Sequence, residues 1–203
     1  MNTKTTAFLS IILISGLLCA LAGCFQAQQP VRQYTLTTEP PVQVPPQKSA
    51  PTTILIGPVK LASYLDQPRM VRRHSTTQID SIAGHQWAGN LAEMISDKLV
   101  AEMGALLQPS PVFAYPGTTV FIRGRRIALD ILRFEGTEDK TATIEVRWTL
   151  FDLTDKSILK TQTSLIHTPV TDDSYEALAT ALSQGLTTLS REITEAIRSE
   201  KSE

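Results

Sequence analysis

The chain has 203 residues, of which 42% are hydrophobic and 19% charged, with a formal net charge of −1. That is apolar material for about one core, and the near-neutral balance gives no electrostatic reason for nucleic acid as a partner. Its two cysteines, Cys19 and Cys24, supply neither a CxxC pair nor a cysteine zinc set, so a structural metal site of that kind is excluded.

The first element is an apolar run from Ala7 to Gly23 behind Lys4. Its length sits at or below the roughly 17 residues that a membrane-spanning helix needs. A short positive start, an apolar stretch and small residues at the end read as an export signal. The run closes on Leu21-Ala22-Gly23-Cys24, which resembles the lipobox of bacterial lipoproteins. The resemblance implies cleavage before Cys24 and acylation of its sulfur, with residues 1–23 as the signal peptide. Cys19 would leave with that signal, so the mature chain would hold no disulfide although it resides in an oxidising compartment. Phe25, where an aspartate would direct retention in the inner membrane, favours the outer membrane.

From Cys24 to Pro51 the chain is rich in proline, glutamine and threonine, with Pro30, Pro40, Pro41, Pro45, Pro46 and Pro51, and reads as a semi-rigid tether over 24–51. The exception is RQYTL at 32–36, which alternates like a strand and could dock at a sheet edge. The folded domain is expected over 52–203. TILIGPVKL is a β-rich run, and RMVRRHSTTQIDSI reads as two strands around a polar turn. Trp87, Leu91, Met94, Ile95, Leu99, Met103 and Leu106 recur at helical steps and predict a helix over about 85–106.

Three further strands are expected at 120–134, 141–152 and 157–167. In the middle one Ile144, Val146, Trp148 and Leu150 alternate strictly with polar residues. The uneven apolar phase from Arg123 to Leu132 suggests a bulge. Tyr175, Leu178, Leu182, Leu186, Leu189, Ile193 and Ile197 predict a closing helix over about 174–199, with Asp173 and Glu176 reading as a capping box. Its polar face carries four glutamates and few lysines, so packing on the sheet suits it better than lying on a membrane. The fold class is therefore α+β, a mostly antiparallel sheet packed against two amphipathic helices.

No nucleophile elbow, zincin, nucleotide-loop or dinucleotide motif is present, so no catalytic residue and no metal ligand are assigned. His74, His85 and His167 fall at the ends of predicted elements without ligand spacing. Asp130 is the one carboxylate in an apolar strand that could be buried. Arg69, Arg72 and Arg73 on one strand pair and Arg123, Arg125 and Arg126 on another would form a basic patch if those strands were neighbours. Such a patch would suit a carboxylate-bearing partner or a lipid phosphate. Otherwise they are solvated strand edges, where charge discourages pairing between molecules.

Taken in order, the lipobox, YTL at 34–36, ILIGPVKLASYLDQPRMVRR at 54–73, WAGNLAEMISDKLVAEM at 87–103, LRFEG at 132–136, VRWTLFD at 146–152 and the closing helix resemble the ABC-type transport auxiliary lipoproteins, the paraquat-inducible lipoprotein C family. The resemblance covers nearly the whole mature chain. It implies a non-enzymatic lipoprotein, anchored in the outer membrane and facing the periplasm, that works with an MCE-domain protein of an ABC lipid transporter. It implies no cofactor beyond the lipid on Cys24, and a homo-oligomer is possible. Tyr64, the Pro68-Arg69 turn and Trp87 match the family best and read as fold or interface determinants. The alternative is an envelope lipoprotein that itself holds a lipid in a cavity between helix and sheet.

Overall fold

A computed structural model describes residues 30–38, 51–117 and 123–200. The signal run, Cys24, residues 39–50 of the Pro-rich stretch, and Val120, Phe121 and Ile122 of the predicted strand lie outside the described residues. The elements run β1 (Arg32–Tyr34), β2 (Ile54–Leu61), β3 (Arg69–Arg73), β4 (Ile79–Trp87), α1 (Leu91–Leu106), β5 (Val112–Ala114), β6 (Arg125–Thr137), β7 (Thr141–Asp152), β8 (Ile158–Pro169) and α2 (Tyr175–Ser199).

One eight-stranded sheet organises these elements, with β6 at its centre. One edge of β6 carries β7 and then β8, both antiparallel. The other edge is shared: β2 runs parallel to its first half, and β3 parallel to its last two residues. Beyond β2 lies β5, and beyond β3 lie β4 and then β1. The sheet is α+β as expected, but mixed rather than mostly antiparallel. The longest ladders, β6 with β7 and β7 with β8, are antiparallel because short turns join them. Strands β2 and β3 reach β6 only after the chain has passed through α1, and such crossovers place strands parallel.

Both helices cover one face of the sheet. The strict alternation of β7 turns Ile144, Val146, Trp148 and Leu150 inward, where all four are fully buried. The stripe of α2 meets them with Leu178, Leu182, Leu186, Leu189, Ile193 and Ile197. Gly185 marks the closest approach, because a Cβ there would stand 2.7 Å from Ile144 Cδ1.

The helix predicted from residue 85 starts at Leu91. Residues 79–87 are drawn into β4, between β3 and β1, and Asn90 Oδ1 caps the helix by accepting from Glu93 N at 3.1 Å. In α2 the N-cap is Ser174, whose Oγ accepts from Ala177 N at 3.0 Å, rather than Asp173 with Glu176. The suspected bulge is present as a register shift between Ile131 and Arg133.

RQYTL does dock: β1 is the edge strand beside β4, and the compact body begins at Val31. The Pro-rich residues 39–50 therefore connect β1 to β2. After β1 the chain crosses onto the helix pair, where Thr37 N donates to Ser183 Oγ at 3.1 Å and the Thr37 carbonyl accepts from Lys98 Nζ at 2.5 Å. Lys98 is 2% exposed and also donates to Glu102 Oε1 at 2.5 Å. Thr187 and Ser190 of α2 donate to the two Glu102 oxygens at 2.7 and 2.8 Å. A fully paired charge network thus joins α1, α2 and the N-terminal strap. Lys98→Met, which strands the Glu102 charge, is expected to cost about 3–5 kcal/mol in urea denaturation. The double change Lys98→Met with Glu102→Leu should recover most of that loss.

Candidate functional site

Strands β2 and β3 lie end to end along the same edge of β6, and residues 62–68 leave the sheet between them. Ala62 N still donates to Ile131 O at 2.9 Å, so the break faces residues 132–135. Tyr64 fills it: its hydroxyl lies 2.8 Å from Glu135 Oε2 and 3.2 Å from the Leu132 carbonyl oxygen. Gln67 Nε2 holds the excursion in shape by donating to Tyr64 O at 2.7 Å.

Glu135 is completely buried and collects further donors. Arg73 Nε reaches Oε1 at 2.5 Å and Arg73 Nη2 reaches Oε2 at 3.2 Å, while Arg133 Nε reaches Oε1 at 2.8 Å. The Arg73 guanidinium also sits 5.9 Å from the Tyr64 ring centre. Burial by itself would raise the Glu135 carboxyl, but the hydrogen bonds from Arg73, Arg133 and Tyr64 outweigh it and hold the group below its ordinary range. Burial, and next the neighbouring carboxylate, push the Tyr64 phenol strongly upward, so it remains a neutral donor. A carboxylate whose oxygens are all engaged has no free lone pair for a substrate proton. The cluster is therefore a lock between β3, the excursion and β6, not an acid–base pair.

Among the sequence candidates, the structure brings together Tyr64 and Arg73 in this lock. Glu135 and Arg133 were missed, and Asp130, the carboxylate singled out for burial, is instead 41% exposed and paired with Arg147 at 2.8 Å. The bulge at 131–133 shifts the alternation of β6, so the buried carboxylate lies beyond it.

The arginines do not form one patch. Arg72 and Arg73 pair with Gly136 and Thr137 at one end of β6, while Arg125 and Arg126 begin its other end, roughly 35 Å away at strand rise. Arg72 donates to the Asp173 carbonyl at 2.6 Å and lies 4.5 Å over the Tyr175 ring. Arg125 donates to the carbonyls of Ile197 at 2.9 Å and Glu200 at 3.2 Å, closing the C-terminus of α2. Arg126 lies 4.5 Å from the Phe151 ring centre and 5.2 Å from that of Tyr115. Arg69 and Arg123 are exposed.

A second polar region surrounds β1. Tyr34 hydroxyl and His85 Nδ1 are 2.7 Å apart, and His85 stacks on Tyr175 at 4.0 Å. These side chains line an open cleft of about 680 Å³ together with Arg32, Thr37 and Glu176. Burial, then Arg32 and Arg72, lower the His85 pKa and keep its ring neutral. His74 lies between Asp80 at 2.8 Å and Glu138 at 2.7 Å, and His167 Nδ1 is 3.1 Å from Thr143 Oγ1. Among the described residues no cluster of His, Cys, Asp and Glu could hold a metal ion. Cys24 lies outside them.

Folding lowers the Glu135 pKa, so its contribution to stability is complete above the unfolded value near 4.3 and is lost as pH falls through the folded one. Glu135→Gln should destabilise the protein by about 2–3 kcal/mol at neutral pH. In urea titrations at a series of pH values, that gap should begin to narrow as the pH falls below the unfolded value and go on shrinking toward the lower folded one. Tyr64→Phe should cost about 1 kcal/mol.

Two solved structures resemble this fold closely. A crystal structure of an uncharacterized protein has a TM-score of 0.70 at 18% identity and covers 83% of this chain and 99% of its own. Protein XCC0632 from Xanthomonas campestris, of the family model DUF330, has a TM-score of 0.70 at 22% identity and covers 85% of this chain and 97% of its own. No curated protein matches the chain. The family model described as ABC-type transport auxiliary lipoprotein component matches residues 34–194, from the β1 tyrosine to the last turns of α2. The chain belongs to the ABC-type transport auxiliary lipoprotein family.

Proposed function

We propose that this chain is a non-enzymatic lipoprotein of an ABC/MCE-type intermembrane lipid transport system, docking the periplasmic machinery at the outer membrane. The family match over residues 34–194 carries the reading, since it makes the chain an auxiliary of ABC transport. The lipobox ending on Cys24 and the absence of an aspartate at Phe25 support the anchor and its membrane. Several buried acyl chains, at about 0.8 kcal/mol per CH₂, make release from the bilayer improbable.

The competing reading, a lipid held between helix and sheet, meets an interlayer filled by Trp148, Phe134, Leu99, Met103, Leu186 and Leu189, all buried. Mass spectrometry of organic extracts from the purified domain separates the two, and a stoichiometric co-purifying lipid would favour the second. On the first reading the purified mature protein captures an MCE-domain protein of an ABC transporter. Cys24→Ala should move the protein from the membrane to the soluble fraction with an unchanged melting transition. Full lipid transport by that soluble variant would sink the anchoring role.

A further inference from the structure

Cross-strand partners Phe113, Leu55, Arg126, Phe151 and Ile158 form a row in register across β5, β2, β6, β7 and β8. Their chain neighbours Ile54, Ile56, Ile127 and Leu150 are fully buried in the core with the helices, so strand alternation turns this row to the face the helices leave open. Four members of the row are apolar, yet its centre is an arginine.

The Arg126 guanidinium lies 4.5 Å from the Phe151 ring centre and 5.2 Å from that of Tyr115, which extends the β5 pairing by donating its amide to Ile56 O at 2.8 Å. Every other half-buried arginine among the described residues donates to the fold: Arg72 to Asp173 O, Arg73 and Arg133 to Glu135, Arg125 to Ile197 O and Arg198 to Leu106 O. Arg126 has no such acceptor. The carboxylates of the adjacent β7–β8 turn, Asp152 and Asp155, are engaged by that turn's own amides, accepting from Thr154 N and Ser157 N at 2.7 and 2.9 Å. A guanidinium held between two rings, with its donors unused, is preorganised for an anion that the fold itself does not supply.

We propose that Arg126 anchors a docking surface on the open face of the sheet and receives a carboxylate side chain of a partner protein. Tyr115 and Ile158, 42% and 63% exposed, give apolar contacts on either side, and exposed Arg123 and Lys156 add positive charge at the same end. The fork matches a carboxylate bidentately, and tyrosine and arginine are residues on which protein contacts most often depend. A bilayer fits worse. Its flat headgroup layer would meet the more exposed Tyr115 and Ile158 before the half-buried guanidinium, and a chain of net charge −1 is not drawn to an anionic surface. The surface is defined by its chemistry, whichever transport component supplies the carboxylate.

The test titrates the soluble Cys24→Ala protein with the blocked peptide acetyl-Val-Glu-Val-amide while nuclear magnetic resonance follows the Arg126 Nε–H signal. That signal should shift saturably, and the glutamine counterpart of the peptide should bind about tenfold more weakly. Arg126→Lys keeps the charge but loses the fork, so it should weaken binding several-fold, read at the Phe151 and Ile158 amides. Arg191→Ala, at an exposed arginine of α2, should leave binding unchanged. The peptide pair decides the question whether or not the lysine variant folds. Equal response to both peptides, response to neither, or full binding by a folded Arg126→Lys would overturn the proposal. A shift caused by phosphatidylglycerol vesicles but not by the peptide would assign the fork to lipid and overturn it as well.

Discussion

The central strand β6 has thirteen residues and two backbone edges, both inside the protein, and every buried amide and carbonyl on them needs a partner. One edge is met by the long antiparallel β7. No single strand meets the other, because the chain makes an excursion between β2 and β3. What remains open there, the Leu132 carbonyl and the buried Glu135, is answered by the Tyr64 hydroxyl and two guanidinium groups. The lock is therefore the condition under which two short strands can act as one long neighbour.

The helix layer has a polar joint of the same kind. The apolar stripes of α1 and α2 account for their packing on the sheet, but a lysine, a glutamate, a threonine and a serine are buried where the helices meet. Mutual pairing makes that burial tolerable, and the strap at Thr37 uses the remaining donor of Lys98. Burying an unmatched charge would be far costlier than burying the pair. The strap is thus part of the body, held by the same network that joins the helices.

Much of the architecture was legible from local pattern. The alternation in TATIEVRWTLFD matches β7 residue for residue, the stripe from Tyr175 to Ile197 matches α2, and the broken phase near Arg123 to Leu132 corresponds to the register shift in β6. Trp87 extends the helical stripe because it lies four residues before Leu91 and is buried like it, although it ends β4. Only the Asn90 cap marks the true start of α1. Sequence clustering left open whether the candidate arginines form one patch or lie on separate strand edges. Their real separation depends on which end of β6 each strand meets, and composition does not carry that information.

The sequence by itself determined the residues able to form strands and helices, because these depend on short-range chemistry and periodicity. It could also identify the family, whose motifs are local runs in a set order. Only the tertiary structure decided that β2 and β3 share one edge of β6, that Glu135 rather than Asp130 is the buried carboxylate, and that β1 pairs with β4 next to the first residue of α2. Each of those outcomes is a long-range pairing between segments far apart in the chain. Their free energy comes from backbone bonds and buried charges that exist only once the sheet has closed.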